Sequence, residues 1–163
     1  MSTGEVFQRG SSGWPAGRFH LIVAVCVHGE NGTVLLTQRA ASKEFAFGWE
    51  FPGGSALAGE SSRVAASREL REETGLEVDQ EALTLICRFV EPSALLDFYI
   101  ASATPTTELS LQASEVMASE WVATAEVERR MSGSFMAFPW IARLEALWPA
   151  TKAAMSAAPI INP

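Results

Sequence analysis

No apolar run in the sequence reaches the ~18 residues that a membrane-spanning helix needs, and no basic segment followed by an apolar one opens the chain. Basic residues are the scarcer charge. Twelve Lys and Arg stand against 19 Asp and Glu, a formal net charge of −7. That balance argues against non-specific binding of nucleic acid or an anionic membrane surface, which calls for basic patches. Only two cysteines occur, Cys26 and Cys87, each within an apolar, strand-like run. They read as buried free thiols in a reducing compartment rather than as a disulfide. The expectation is a soluble, cytoplasmic chain, and 163 residues at 48% apolar give one domain with a substantial core.

Residues 1–18 mix glycines and serines with Pro15 and read as an N-terminal arm. HLIVAVCV, His20 to Val27, is a continuous β-branched run and suggests a strand buried on both faces. Asn31-Gly32 is a hairpin signal, and Thr33 to Arg39 should pair back on that strand. Further strands are expected at Trp49–Phe51, Leu83–Val90, Leu95–Ala103 and Ser119–Ala123. Pro52-Gly53-Gly54 reads as a turn with backbone free to approach a ligand. Helices are expected at about Ser62–Thr74, Glu126–Met131 and, led by Pro139, Trp140–Trp148. Residues 150–163 read as a flexible C-terminal tail, leaving 19–149 as one domain of α/β class with a mixed β-sheet.

The chemistry concentrates in Arg68-Glu69-Leu70-Arg71-Glu72-Glu73. On a helix, Glu69, Glu72 and Glu73 fall within about 100° of one another, where like charges repel. A hard divalent cation such as Mg²⁺ or Mn²⁺ would relieve that repulsion. The plainer alternative is a solvated acidic face with Arg68 and Arg71 interleaved. Ser61 or Ser62 can cap the helix start, and Gly75 sits where a C-terminal cap glycine belongs.

Written as spacing, Gly54 to Leu76 is G-x5-E-x7-R-E-L-x-E-E-x-G-L. It resembles the signature of the Nudix hydrolases at every defined position. The resemblance implies an α/β/α sandwich, a Mg²⁺ or Mn²⁺ cofactor, and a small pyrophosphate or nucleotide as substrate. It assigns Glu69, Glu72 and Glu73 to the metal, with the Gly54 carbonyl as a further ligand. Glu60 and Arg68 would brace the loop against the helix. Binding modules of this fold usually lose some of these glutamates, and none is missing here. A homodimer through the arm or an exposed sheet edge is common in the family, though nothing in the sequence demands one.

The general base varies within the family. Glu115 is the first candidate, six residues before Trp121 at the end of a polar loop, similar to the catalytic glutamate of nucleoside-triphosphate-type members. Glu120 is the weaker candidate, and Glu50 is a further acid that could serve the metal. Arg39 and Lys43 could reach substrate phosphates, while Phe45, Phe47 and Trp49 could stack a base or pack in the core. Pro92 lies near the proline of ADP-ribose pyrophosphatases but is also ordinary turn chemistry.

HLIVAVCV, GTVLLTQRAASKEF, LQASEVMASEWV and SFMAFPWIARLEAL look similar in order and spacing to type I isopentenyl-diphosphate isomerases. That branch uses a cysteine just after the Trp strand and several metal-binding histidines. Here Trp49 is followed by Glu50-Phe51-Pro52, and the only histidines are His20 and His28. The scaffold looks like the isomerase, the reactive residues like the hydrolase.

Overall fold

The strand His20–His28 (β1) is the spine of the molecule. In the computed structural model, which describes residues 19–92, 94–105 and 108–157, its side chains alternate between two separate cores. Val23, Val25 and Val27 point to one, Ala24 and Cys26 to the other. A strand buried on both faces has no polar side to present, which is why the run reads as continuously apolar.

The strands Thr33–Arg39 (β2), Trp49–Glu50 (β3), Gly53–Ser55 (β4), Thr84–Val90 (β5), Ala94–Ser102 (β6) and Val116–Ala123 (β7) complete a seven-stranded mixed sheet. Its path runs β3-β2-β1-β6-β5, with β4 on β1 and β7 on β2. β1 and β6 pair in parallel from His20↔Ala94 to His28↔Ser102, and β2 pairs antiparallel with β7. The two remaining strand partners of β1 share one edge. β2 meets it only at His28↔Val34, whereas β4 takes Ile22 to Ala24. β1 and β2 therefore splay apart beyond the turn, and the gap between them opens into a cavity.

The helix Ser62–Thr74 (α1) covers one sheet face through Ala65, Ala66 and Leu70. The helices Thr124–Ser132 (α2) and Phe138–Ala157 (α3) cover the other. There Phe51 stacks edge-on to Phe98 and Trp140, with centroids 5.3 and 5.4 Å away, and Leu144, Leu147 and Trp148 fill the rest. Helices on both faces of a mixed sheet make the α/β/α sandwich that the resemblance implied.

Three expectations need correction. Gly53-Gly54 is not only a turn: it is the start of β4, and a Cβ on Gly53 would sit 2.1 Å from the Val23 carbonyl oxygen. Strand β7 begins three residues before Ser119, because β2 offers a full-length edge to pair with. Residues 150–157 are not a tail but the last two turns of α3, which continues through Pro149. Proline there removes one amide donor, yet the alanine-rich segment is a strong helix former. Lys152 and Trp148 also anchor it, both to the Glu128 carboxylate of α2. The arm at 1–18 and residues 158–163 lie outside the described residues. Among those described, no helix is long and apolar enough to cross a membrane.

Candidate functional site

Helix α1 begins and ends where its sequence says it should. The Ser61 hydroxyl accepts from the Val64 amide, and Gly75 closes the helix at φ 75°, donating to the Arg71 carbonyl. Fixed ends fix the phase of the helix, and so decide which glutamates face the sheet. Glu73 is the innermost, 6% exposed, and accepts from the Gly53 amide at 3.0 Å. Glu69 is half-buried, its carboxyl so close to Gly54 that a Cβ there would lie 2.5 Å from it. Glu72 is exposed.

Arg68 ties these groups together. One terminal nitrogen donates to Glu69 at 2.9 Å and Glu72 at 3.0 Å, while the other reaches the Ser55 carbonyl and Glu60. Glu60 in turn accepts from the Leu57 amide, so the loop after β4 is clamped to the helix. The Arg68 hydrogen bond holds Glu60 below the usual carboxylate range.

Two loops close the site. The segment before β7 hangs on the end of α1 through Ser110 to the Thr74 carbonyl. It is then fastened to β2 where the Ala40 amide donates to the Glu115 carbonyl at 2.8 Å. Between them, Lys43 of the β2–β3 loop forms an ion pair with Glu115. On the far side, Glu50 pairs with Arg39 at 2.6 Å and accepts from the Trp140 indole. All five acids, Glu50, Glu69, Glu72, Glu73 and Glu115, line one cavity of about 490 Å³ together with Arg39 and Lys43.

Burial is what sets the proton affinities here. Desolvation pushes Glu73 well above the usual carboxylate range, reinforced by the charges of Glu50, Glu69 and Glu115. Desolvation also raises Glu69 and Glu50, against the opposing pull of Arg68 and Arg39 respectively. Among the described residues no three acids, histidines or cysteines stand ready-made around a metal position. The reason is visible: Glu69 and Glu72 are turned onto Arg68, Glu115 onto Lys43 and Glu50 onto Arg39. A buried Glu73 with a single amide partner and like charges around it is nonetheless a hard-oxygen donor set that lacks positive charge.

A stability consequence follows. The folded chain holds the Glu73 proton more tightly than the unfolded chain does, so stability falls as pH rises from the ordinary glutamate value through the raised one. In EDTA, Glu73→Gln should therefore raise Tm at pH 8 and change it little near pH 4.5. Thermal melts at the two pH values check this; equal effects at both would remove the charge argument.

Not every candidate from the sequence lies here. Glu120 is drawn to Arg130 of α2, outside the cavity lining. Trp49 is outside it too, its ring covered by the Arg130 guanidinium at 4.1 Å, so it offers no free stacking face on that side. Pro92 follows Glu91 in the β5–β6 turn, where the Glu91 amide donates to the Ala94 carbonyl. Cys26 is fully buried and Cys87 partly so; neither lines the cavity. Trp140 and Arg143 of α3 do line it, although their sequence pattern marks only a packing helix.

The model of the NUDIX domain matches residues 18–144 of the chain. The chain belongs to the Nudix family. A Nudix hydrolase of Listeria monocytogenes is 33% identical over 156 residues, covering 91% of this chain and 90% of its own. The 8-oxo-dGTP diphosphatase of Haemophilus influenzae is 36% identical over 78 residues, 48% of this chain and 57% of that one. A crystal structure of a Deinococcus radiodurans protein superposes with a TM-score of 0.70 at 19% identity, covering 87% and 90% of the two chains. As a Nudix pyrophosphohydrolase, the chain carries its signature between Gly54 and Leu76, on the β4 strand, its loop and α1.

Proposed function

We propose that this Nudix enzyme is a Mg²⁺- or Mn²⁺-dependent hydrolase of a nucleoside diphosphate linked to a further group, or of a closely related organic pyrophosphate. The gathering of Glu69, Glu72, Glu73 and Glu115 in one cavity that Arg39 and Lys43 also line carries this reading. Glu69, Glu72 and Glu73 would hold the ion, with the Gly54 carbonyl at the rim. Bound there, it would supply charge neutralisation at the non-bridging phosphate oxygens. Arg39 and Lys43 orient the remaining phosphate charge. Glu115 takes the proton of the attacking water; the new bond forms at phosphorus and the anhydride P–O bond breaks, its electrons leaving with the departing phosphate. The 8-oxo-dGTP diphosphatase relative favours a nucleotide substrate.

A panel of nucleoside triphosphates, dinucleoside polyphosphates, ADP-ribose, nucleotide sugars and isopentenyl diphosphate, each with Mg²⁺ or Mn²⁺, tests the reading by chromatography of products. Cleavage of an anhydride, lost in EDTA, is expected. Conversion of isopentenyl to dimethylallyl diphosphate without cleavage would overturn it. Glu115→Gln should lower kcat by roughly 10²–10⁴-fold while leaving the metal-induced rise in Tm unchanged. An unaltered kcat would move the base to another residue.

A further inference from the structure

The β2–β3 loop spends conformational energy on an exposed side chain. Phe45 adopts φ 55° and Phe47 φ 66°, a left-handed region that bulky residues rarely enter and that is strained at each. Burial does not offset this: Phe45 is 40% exposed and Phe47 54%. The backbone is instead held in place by hydrogen bonds, from the Phe47 amide to the Arg39 carbonyl, from the Gly48 amide to the Phe45 carbonyl and from the Gln38 side-chain Nε2 to the Phe47 carbonyl. A strained, pinned loop that displays an aromatic ring to water is a device for presenting that ring.

Phe45 faces a definite place. It lines the same cavity as the signature glutamates, and its neighbour outward is Phe138, the first residue of α3. The two ring centroids are 6.0 Å apart and tilted by 32°, too close for a third ring to slip between them, since two stacking gaps of about 3.5 Å would be needed. Phe138 is 71% exposed, and its neighbours Ala137 and Pro139 line the cavity while Phe138 extends beyond it. Together the rings form one exposed aromatic pair, joined through Phe45 to the cavity that Lys43 and its partner Glu115 also line.

We propose that Phe45 and Phe138 form a stacking shelf for the aromatic base of a nucleotide substrate whose phosphates lie inward among Arg39, Lys43 and the glutamates. This deepens the reading of the site as a pyrophosphate hydrolase and rests on it. An aromatic base fits better than an alkyl or prenyl chain. A chain of that kind needs enclosure to lose its contact with water, whereas an exposed ring gives a planar π-system a stacking partner with its other side still wet. Phosphate recognition inside and stacking outside then select nucleotides by parts rather than by an enclosed pocket.

The probe is the bis-methylene analogue of 2-aminopurine riboside 5′-triphosphate, whose phosphorus bridges resist hydrolysis and whose fluorescence is quenched on stacking, titrated in Mg²⁺ into the wild type, Phe45→Ala and Phe138→Ala, with inorganic tripolyphosphate as the base-free competitor. Quenching in the wild type is expected. Kd should weaken about tenfold in Phe138→Ala, with tripolyphosphate affinity unchanged. Because Phe138 is exposed at a helix start, that variant should melt as the wild type does. An unchanged probe Kd in both variants would overturn the shelf, as would an equal loss of affinity for tripolyphosphate. The two readings fail separately. Hydrolysis of nucleotides with an unchanged KM in Phe138→Ala removes the shelf and leaves the hydrolase standing. Quenching that depends on Phe138 in a chain that cleaves no anhydride upholds the shelf and removes the hydrolase.

Discussion

In Glu72→Gln, kcat is expected to fall by roughly 10³-fold or more with the fold intact, since a metal centre contributes several kcal/mol of charge stabilisation and each 1.36 kcal/mol is tenfold in rate. The fold should survive because Glu72 is exposed and touches the protein through one hydrogen bond from Arg68, which a glutamine oxygen can still accept. What glutamine cannot supply is the negative charge. Glu72 is the most exposed acid of the three, so it is the one that a cation arriving from solvent meets first. The measurement is kcat with saturating Mg²⁺ alongside a thermal melt with and without the ion. A variant with near-wild-type turnover would sink the assignment of the metal to α1. A variant that has lost turnover and also melts many degrees lower would shift Glu72 to a structural role.

Glu69, Glu72 and Glu73 share one face of α1 and line one cavity, as their spacing implies. The spacing could not say that Glu73 is buried at the Gly53 amide while Glu72 stands in water, because that distinction depends on where β4 lies against α1. The strand itself was hidden behind its glycines. Pro52-Gly53-Gly54 has the composition of a turn, and only the close approach of Val23 shows why a side chain cannot stand at Gly53. Local signals were legible for the same reason throughout: the Ser61 cap, the Gly75 stop and the β1–β2 turn are each decided within a few residues. Long-range pairings were not. The parallel register of β1 and β6, the ion pair of Lys43 with Glu115 and the covering of Trp49 by Arg130 all join segments far apart in sequence. Arg39 and Glu50 lay between these cases. Each stands out alone in the sequence, and the β2–β3 pairing Thr37↔Glu50 is what lets their side chains meet.

The largest effect on stability is expected at Phe51, where Phe51→Ala should destabilise by about 3–5 kcal/mol. The ring is 1% exposed and meets three aromatic neighbours, Phe98, Trp140 and Trp148, with centroids 5.3, 5.4 and 6.0 Å away. Trp140 and Trp148 belong to α3 and Phe98 to β6, so the cavity left by alanine lies between elements that cannot close it without moving a helix. A domain of this size loses about 2–4 °C of Tm per kcal/mol, so a fall of roughly 10 °C is expected in a thermal melt. The position also joins packing to the site, since Phe51 itself lines the cavity beside Glu50. Phe51 sits between Glu50, which faces the cavity, and Pro52, whose carbonyl accepts from the Val25 amide at 2.9 Å. Loosening the core there lets the strand that carries Gly53 and Gly54 drift from α1. Phe51→Leu keeps most of the apolar volume and should recover most of the Tm. If it also recovers kcat, the site depends on the core only through its volume. If Tm returns and kcat does not, the aromatic cluster itself positions the cavity lining, through Trp140 and the Glu50 carboxylate it holds. That second outcome is the expected one, because a flexible leucine fills space without the edge-to-face contacts that fix Trp140 and, through its indole, Glu50.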